Sequence, residues 1–271
     1  MYQACKYIKP DAVIANFHLT AYFVSFLPRT IKKFYYIQAY EVVFYNNIIR
    51  KTLAYLTYYL PLKKITNHEQ LLPNYLNKNK IIIPAGIDLQ MFYKRECHNN
   101  KKNIGVIGRV ERHKGTKEII DAIIAWDKKH EVTVNIAVYI SEEDKLRLTK
   151  NCIKYHYVKI DNDNELARFY RTNDLMIASG LVEDGAFHYP CAESMACGCI
   201  VISNYAPLVE SDSHYKIKHL NEKMIIEKLD YFFASTQEEI QEEISDNIRN
   251  INHYSWDLVG SKLNSALSKP V

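Results

Sequence analysis

The stretch IGVIGRVERHKGT, residues 104–116, decides the fold. Its first residues, Ile104–Ile107, form an apolar run typical of a buried strand, and Thr116–Lys128 has the spacing of a helix. Gly108 lets the chain turn sharply between the two. A strand that leads directly into a helix is the repeating unit of an α/β protein.

Two cations lie in the turn of this stretch. Arg109 and Lys114 are placed beside a predicted helix N-terminus, where free backbone N–H groups and the helix dipole already favour an anion. Two cations and a helix start together fit a diphosphate. A charged strand-to-helix loop with a solvated lysine explains the same residue types equally well.

The order of a strand and then a helix repeats on both sides of this stretch. The strands are apolar along their whole length, which indicates parallel sheets covered by helices on both faces. Further predicted strands are Asp11–Phe17, Phe34–Gln38, Lys64–Asn67, Lys80–Ile83, Val132–Ile140, Tyr155–Ile160, Leu175–Ala178 and Ile200–Ser203. Further predicted helices are a segment ending at Leu27, Asn47–Tyr59, Glu69–Leu76, Glu142–Lys150, Asn164–Tyr170, Pro190–Ala196 and two or three from Glu222 onward.

Charge is divided unevenly along the chain. The net charge is +4, but residues 1–95 hold 13 Lys and Arg against 4 Asp and Glu, while the remainder holds 22 against 27. A basic first part suggests an anionic partner such as a phospholipid surface or a phosphorylated acceptor. Solvated surface lysines are the alternative. No nucleic-acid-binding motif is recognised, so nucleic acid is not an expected partner.

Cysteine spacing and apolar runs indicate the compartment. The six cysteines have no metal-ligand spacing, and Cys197 and Cys199 lie in an apolar run, which favours buried thiols. No signal-peptide pattern begins at Met1, and no run of about 18 apolar residues is present. We therefore expect a cytoplasmic protein, with peripheral contact at the cytoplasmic face of a membrane through the basic first part.

A second motif, EDGAFHYPCAESMACG, occupies residues 183–198. Pro190 suits the first turn of a helix, because its missing N–H would have no partner there. Gly185 allows the backbone to come close to a ligand. Glu193, one turn into the helix, could accept hydrogen bonds from the vicinal hydroxyls of a ribose, or it could only complement the helix dipole.

At their separation, the two motifs resemble those of the retaining glycosyl transferases group 1, family 4, which are built on the GT-B plan of two Rossmann-like domains. That family reads G-R-x-x-x-x-K-G in the first loop and E-G-F-G-x-P-x-x-E-A-M-A-C-G in the second. The matching residues here are Gly108, Arg109, Lys114, Gly115, Phe187, Pro190, Glu193 and residues 195–198. Residues 84–88 with Phe92, and also Trp256, echo the family's interdomain run and the start of its last helix.

The resemblance covers about residues 10–270 and implies a GT-B fold of two doubly wound domains. Residues 1–95 would form a partial acceptor-side domain, truncated because its first recognisable strand matches a later strand of the family. Residues 96–252 would form the nucleotide-sugar-binding domain, and residues 253–271 a helix that packs back toward the first domain. The polar segment Lys94–Lys102, which lacks apolar periodicity, marks the boundary.

The resemblance also implies a hexosyltransferase-type reaction, in which a sugar moves with retention from a nucleoside diphosphate sugar to a hydroxyl, as in polysaccharide or glycan biosynthesis. Arg109 and Lys114 would act catalytically by holding the donor diphosphate and stabilising its charge as it leaves. The implied donor-binding residues are Gly108, Ile160, Glu183, Asp184, Gly185, Ala186, Phe187, His188, Glu193 and Ser194. No metal or other cofactor is implied. The expected partners are the donor and a glycan, lipid-linked or other hydroxyl acceptor.

Within that set the resemblance gives three groups a specific role. Backbone N–H groups of residues 186–188 would assist the diphosphate, Glu193 would hold the ribose, and Ile160 would lie near the base. Two positions depart from the family, because Gly185 replaces its first glutamate and His188 replaces a glycine. Glu183 or Asp184 could reach the space of that glutamate only in a rebuilt loop.

A segment of the first part, QAYEVVFY at residues 38–45, resembles Q-D-Y-E-P-x-F-Y of some rhamnosyltransferase-like members. Glu41 is therefore a candidate for contact with the acceptor or for action on its hydroxyl, and a structural Glu at a strand end is the alternative. His18, His68 and His113 have no nearby partner in the sequence and are predicted to be surface or capping residues.

Two other functions fit the departures from the family. Gly185 and the short first domain are also expected of a nucleotide-sugar-binding remnant, or a partner subunit, without transferase activity. A sugar-nucleotide epimerase of the same two-domain plan would release an altered nucleotide sugar without an acceptor. Nucleotide binding without turnover would indicate the remnant.

Overall fold

The computed structural model describes residues 2–69, 71–76, 80–94, 102–182 and 185–268. The described residues form two compact units. The first contains those up to Gly86 together with those from Asp257 onward, and the second contains those from Ile87 to Trp256. Both units consist of parallel strands joined by helices, so the predicted α/β class is confirmed.

The first unit is a four-stranded parallel sheet with helices. Its elements are α1 (Tyr2–Ile8), β1 (Ala12–Ala15), α2 (His18–Ser25), β2 (Lys32–Ile37), α3 (Ile48–Thr57), β3 (Lys63–Thr66) and β4 (Lys80–Ile82). The strands lie in the order β1-β2-β3-β4, which is their order along the chain. Asn47 fixes the start of α3, because its side chain accepts the backbone N–H groups of Ile49 and Arg50.

The second unit is a five-stranded parallel sheet. Its elements are β5 (Asn103–Ile107), α4 (Thr116–Ala125), β6 (Thr133–Ala137), α5 (Glu142–Lys150), β7 (Lys154–Val158), α6 (Asp163–Thr172), β8 (Leu175–Ile177), α7 (Tyr189–Ala196), β9 (Ile200–Ile202), α8 (Glu222–Ala234) and α9 (Gln237–Ile251). A last helix, α10 (Trp256–Ser268), lies almost wholly in the first unit. The strand order β7-β6-β5-β8-β9 reverses direction at β5. Ligands of such sheets bind where the order reverses, beyond the carboxyl ends of the strands.

Both faces of the five-stranded sheet are covered. Successive residues of β8 enter different apolar clusters: Leu175 and Ile177 belong to one, and Met176 belongs to the other. The same alternation holds in β9, where Val201 shares the second cluster with Met176. Because side chains of a strand point alternately to the two faces, each face carries its own core. This explains why the strands read as continuous apolar runs.

The four-stranded sheet has an apolar cluster on each side as well. Tyr35 of β2 packs in a cluster that contains Val24 of α2. Its neighbour Phe34 packs in a different cluster with Val259 and Ala266 of α10. Helix α10 therefore covers part of the first unit's sheet.

Two local predictions differ from the structure. The helix predicted over Glu69–Leu76 is wrong for its described residues, which contain only a short 3-10 turn at Asn74–Leu76. Pro73 lies directly before that turn, and proline inside a helix removes a hydrogen bond and clashes with the preceding turn. Helix α1 was not predicted. The segment Lys94–Lys102 lies mostly outside the described residues.

Candidate functional site

The loop after β5 is shaped by two glycines. The N–H of Gly108 donates to the carbonyl of Ala137 at 2.9 Å. A Cβ atom at position 108 would lie 1.8 Å from the carbonyl oxygen of Tyr139, so only glycine fits there. Gly115 has a φ of 74° and precedes α4, a backbone conformation that glycine adopts without strain.

Thr116 fastens the part of this loop that carries Arg109. Its hydroxyl oxygen accepts the backbone N–H of Arg109 at 2.8 Å and lies 3.2 Å from the Arg109 carbonyl, to which it donates. The Arg109 side chain is exposed and Lys114 is half-buried. Residues 112–114 form one 3-10 turn directly before α4. Both cations are thus held by the loop that leads into the N-terminus of α4, as the sequence predicted.

The loop between β8 and α7 is held by the segment after β9. The N–H of Gly185, at a φ of 83°, donates to the carbonyl of Asn204 at 2.8 Å. Phe187 pairs with Ala206 in a parallel bridge, in which the N–H of His188 donates to the Ala206 carbonyl at 3.0 Å. This corrects one expectation, since the resemblance assigned that N–H to the donor diphosphate. Glu183 and Asp184 lie outside the described residues.

His188 precedes α7, and its imidazole, unlike its backbone N–H, is available to a ligand. Its Nδ1 atom is buried without a hydrogen-bond partner among the described residues. The ring lies 4.6 Å from the ring of Tyr205, centroid to centroid. Burial, with the positive charges of Lys114 and Arg109, lowers the pKa of His188 to about 3. The imidazole is therefore neutral at physiological pH and has one nitrogen available to a ligand.

Glu193 lies one turn into α7. The Tyr170 hydroxyl donates to its Oε2 atom at 2.9 Å. Burial raises the pKa of Glu193 to about 7, against the opposing effects of the Tyr170 hydrogen bond and of the Arg109 charge. A carboxyl group in this state gains from any ligand that donates hydrogen bonds to its ionised form. Tyr170 was not singled out in the sequence, where it is one aromatic residue on a predicted helix.

The structure brings four of the predicted site residues together. The N–H of Leu181, in the loop after β8, donates to the carbonyl of His113, in the loop after β5, at 2.9 Å, so the two loops are in contact. Besides burial, the charges of Lys114 and Arg109 lower the pKa of His188, and that of Arg109 opposes the rise in the pKa of Glu193. These residues come from the loops that follow β5 and β8, which are neighbours in the sheet at the point where strand order reverses. The arrangement presents two cations, a neutral imidazole and a carboxyl group on one side of the second unit.

Ser194 and Ile160 have other surroundings. Ser194 is fully buried, and its hydroxyl donates to the carbonyl groups of Pro190 and Cys191 within α7. With these bonds, the Ser194 hydroxyl stabilises α7 from within. Ile160 lies two residues beyond the end of β7, which is shorter than predicted, and packs against the cluster that contains Tyr170.

Glu41, the candidate of the first unit, is fully engaged inside that unit. Its side chain is buried and accepts from the N–H of His18 at 2.9 Å and from the hydroxyl of Tyr35 at 2.9 Å. The imidazole Nδ1 of His18 lies 2.7 Å from the same carboxylate. The Tyr58 hydroxyl accepts the backbone N–H of Glu41 at 3.0 Å. These contacts favour the structural alternative for Glu41.

The expectation for His18 was wrong, because this residue is only 3% exposed and is paired with Glu41. The two residues follow β1 and β2, which are neighbouring strands. Local periodicity does not reveal the pair, because it depends on β1 and β2 being neighbours in the sheet.

Two further findings concern metals and membranes. Within the described ranges, no group of three or more His, Cys, Asp or Glu side chains is arranged to hold a metal ion. In the same part of the chain, no helix combines the length and the apolar character needed to cross a membrane.

Comparison with known proteins adds a family and a fold. Residues 91–250 match the model of the family described as Glycosyl transferases group 1. Among curated proteins, none matches the sequence.

The chain is similar to several solved structures. Anabaena HepE in complex with UDP and glucose is 13% identical, with 95% of this chain and 78% of that chain covered and a TM-score of 0.76. A glycosyltransferase from Rickettsia africae is 17% identical, with 98% and 78% covered and a TM-score of 0.72. The structure described as trehalose-6-phosphate from E. coli bound with UDP-2-fluoro glucose is 12% identical, with 97% and 74% covered and a TM-score of 0.76. These similarities confirm the predicted GT-B architecture.

Proposed function

The chain belongs to the glycosyl transferases group 1 family, and from that premise we propose that it moves a sugar from a nucleoside diphosphate sugar to an acceptor hydroxyl with retention of anomeric configuration. The observation that carries the proposal is the grouping of Arg109, Lys114, His188 and Glu193 where strand order reverses. This is the position at which doubly wound sheets bind nucleotides.

The two cations would stabilise the leaving group. Cleavage of the bond between the sugar and the diphosphate leaves an added negative charge on the diphosphate. Arg109 and Lys114, on the loop before α4, would stabilise that charge together with the N–H groups at the helix start. Each such contact typically contributes about 2–4 kcal/mol in a transition state. With two cations in place, we propose that no metal ion is required.

Glu193 would bind the ribose of the nucleotide. Its pKa is raised to about 7 because burial outweighs the hydrogen bond from Tyr170, so the ionised form still lacks enough hydrogen bonds to compensate. Two ribose hydroxyls would supply them and would favour the carboxylate. Binding of the nucleotide is thus coupled to loss of a proton from Glu193.

His188 and the loop before it would contact the sugar that is transferred. We assign the neutral imidazole a hydrogen bond to the transferred sugar or its phosphate through the Nδ1 atom that lacks a partner among the described residues. Gly185, Ala186 and Phe187 would line the same space with little side-chain bulk before the aromatic ring. UDP-glucose is the first donor to test, because HepE and the E. coli structure are described with uridine nucleotides.

The test is nucleotide binding followed by donor turnover. Calorimetry with UDP, GDP, ADP and TDP identifies the base that the parent protein prefers. Arg109→Ala and Lys114→Ala should each weaken binding of that nucleotide by about tenfold or more, because each removes a charge-assisted hydrogen bond. Hydrolysis of the matching nucleotide sugar should fall by about a hundredfold.

Lys150→Ala is the matched control. Lys150 is an exposed lysine at the end of α5, so its removal changes the net charge equally without touching the site. It should bind and hydrolyse like the parent. If Arg109→Ala and Lys114→Ala also bind like the parent, the proposed donor site is wrong.

A binding-only protein is the second candidate, favoured by two observations. Gly185 replaces a glutamate of the family pattern, and Glu41 is occupied by its own contacts. Nucleotide binding that depends on Arg109 but is accompanied by no turnover of any donor would establish this alternative.

A further inference from the structure

Helix α2 exposes its large apolar side chains instead of burying them. Its buried residues are His18, Ala21 and Val24. The side chains of Phe23 and of Phe26, which follows the helix, are 63% and 82% exposed. Aromatic side chains of this size usually contribute to a core, so their exposure requires an explanation.

Helix α3 likewise buries small residues and exposes large apolar ones. Its buried residues, Ala54 and Thr57, are small. Its exposed side carries apolar residues at helical spacing, with exposed fractions of 73% at Ile48, 66% at Ile49 and between 40% and 47% at Leu53 and Leu56.

The two helices are neighbours, since the hydroxyl of Tyr22 in α2 donates to the carbonyl of Leu53 in α3 at 2.7 Å. Their exposed apolar residues therefore lie close together. The α2–α3 face is defined here by Leu19, Phe23, Phe26, Ile48, Ile49, Leu53 and Leu56. Seven exposed large apolar side chains on two neighbouring helices are typical of an interaction surface.

A basic cavity begins where α2 ends. It has a volume of about 1030 Å³, and Phe26 belongs both to its lining and to the α2–α3 face. Four of its lining residues are cations, namely Arg29, Lys32, Lys33 and Lys63, and none of its lining residues is acidic. Apolar residues complete the wall: Leu27, Ile31 and Pro61.

The position of this cavity separates it from the acceptor side of the sheet. Lys32 and Lys63 are the first residues of β2 and β3, so the cavity lies at the amino ends of these strands. Ligands that take part in the chemistry of α/β sheets bind at the carboxyl ends. The cations at the amino ends therefore lie away from the chemistry expected at the carboxyl ends.

We infer that the first unit docks on an anionic phospholipid bilayer. The basic cavity takes the phosphate of a lipid headgroup, and the α2–α3 face enters the interface between headgroups and acyl chains. Amphipathic helices bind such interfaces when apolar and basic residues are combined, and each additional cation strengthens attraction to anionic lipid. The inference rests on the first unit alone and stands whether or not the second unit transfers a sugar.

Charge selects the bilayer over a second copy of the chain. A symmetric dimer centred on the basic cavity would bring its cations, including Arg29 and Lys33, toward the same cations of the other copy, and a dimer centred on the α2–α3 face would leave them without a partner charge. Isologous contacts of this kind pair each patch with itself, so like charges would repel. An anionic bilayer satisfies the apolar face and the cations together.

Flotation with vesicles tests the inference on the full chain. Partitioning to vesicles of phosphatidylcholine with 30% phosphatidylglycerol should exceed partitioning to pure phosphatidylcholine by about tenfold. A rise of salt to about 0.5 M should remove most of this difference, because it screens the cations. Equal partitioning to the two vesicle types would overturn the inference.

Variants separate the two parts of the surface. Phe23→Ser with Phe26→Ser should lower partitioning to anionic vesicles by about tenfold through lost apolar insertion. Arg29→Glu with Lys63→Glu should lower it by a similar factor and abolish the preference for anionic lipid. Thermal unfolding followed by circular dichroism checks that each variant is folded.

Matched controls come from the second unit. Leu146→Ser changes an exposed apolar residue of α5, and Lys150→Glu reverses an exposed charge at the end of the same helix. Both should partition within twofold of the parent. If the controls lose binding as strongly as the variants, or if light scattering shows a dimer that Phe26→Ser dissolves while the parent ignores vesicles, the bilayer is not the occupant.

Discussion

Glu41 at the carboxyl end of the first sheet is in the opposite state to His188 and Glu193 at the carboxyl end of the second. In the first unit, Glu41 accepts from a histidine and a tyrosine and is 4% exposed. In the second unit, His188 has a buried nitrogen without a partner among the described residues, and burial raises the pKa of Glu193 to about 7. Buried polar groups are normally satisfied, so we expect a ligand of the second unit to contact the unpartnered His188 nitrogen.

Strand order explains the difference. The strand order of the five-stranded sheet reverses at β5, and ligands of such sheets bind beyond the carboxyl ends of the strands at this point, where the loops after β5 and β8 lie. The described strands of the other sheet follow the order of the chain, with no reversal among them. Its loops after β1 and β2 meet and close over each other through His18 and Glu41. A satisfied cluster stabilises the fold, whereas an open one is available for chemistry.

Gly108→Ala breaks the open site at its most constrained point and carries the largest expected effect. The added methyl would overlap the backbone carbonyl of Tyr139, which has no freedom to rotate away. We expect a loss of about 4 kcal/mol or more in the free energy of unfolding, at the upper end for single substitutions. Urea denaturation followed by circular dichroism measures it.

Gly260→Ala is the control for the same chemical change. This glycine lies inside α10, with nothing within 4 Å of an added Cβ. Alanine should stabilise the helix by about 0.5–1 kcal/mol. If the two substitutions had similar effects, the steric account of the loop after β5 would be refuted.

Glu41→Leu breaks the satisfied cluster. It leaves the N–H of His18 and the hydroxyl of Tyr35 buried without an acceptor, at an expected cost of about 3 kcal/mol in unfolding free energy. Glu41→Gln keeps an acceptor and should cost less. Nucleotide affinity, measured by calorimetry on the folded variants, should match the parent.

The opposite result would revive the catalytic role suggested for Glu41. If Glu41→Leu unfolds like the parent but abolishes sugar transfer while retaining donor hydrolysis, Glu41 acts on the acceptor. The contrast between the two sheets would then be wrong, because a carboxylate with all its hydrogen bonds made inside the protein would also take part in catalysis.

The sequence predicted the second unit better than the first for a physical reason. The donor loops are contiguous in the sequence, so Gly108, Arg109 and Lys114 can be recognised without knowing the fold. Gly108 needs no neighbour to be informative, because a sharp turn after an apolar strand already favours glycine. The alternation of buried strands and helices also follows from local periodicity, which gave the α/β class.

Properties that depend on distant contacts could not be predicted in this way. His18 and Glu41 are 23 residues apart, and their pairing depends on the adjacency of β1 and β2. The hydrogen bond of Tyr170 to Glu193 likewise joins two helices. The helix predicted at Glu69–Leu76 failed because apolar spacing was given more weight than Pro73.

A pair of pH profiles sharpens the comparison with the smallest expected effect. The pKa of Glu193 is raised from 4.5 to about 7, so the folded state holds a proton that the unfolded state has lost, and stability falls as pH rises through this window. The pKa of His188 is lowered from 6.5 to about 3, so stability falls as pH drops below 6.5. Between pH 4.5 and 6.5 the two slopes oppose each other.

Single variants should uncover the slopes that cancel in the parent. Relative to the parent, Glu193→Gln should become more stable with rising pH by up to about 1.4 kcal/mol per unit, and His188→Asn should become less stable by a similar amount. The double variant should return to the parent's slope, with only a constant offset from the new side chains. Urea denaturation at pH 4.5, 5.5 and 6.5 measures all four proteins. Parallel profiles for all four would mean that neither group is perturbed in the folded chain.

Nucleotide binding should be coupled to the protonation of Glu193. Ribose hydroxyls that donate to Glu193 stabilise its ionised form, so binding near pH 6 should release a fraction of one proton per nucleotide. Calorimetry in buffers of different ionisation enthalpy measures that fraction. Glu193→Gln should lower the release, because glutamine has no proton to lose. Release that is undiminished in Glu193→Gln would assign the whole proton to another group, such as the terminal phosphate of the nucleotide, and remove the carboxylate from the ribose site.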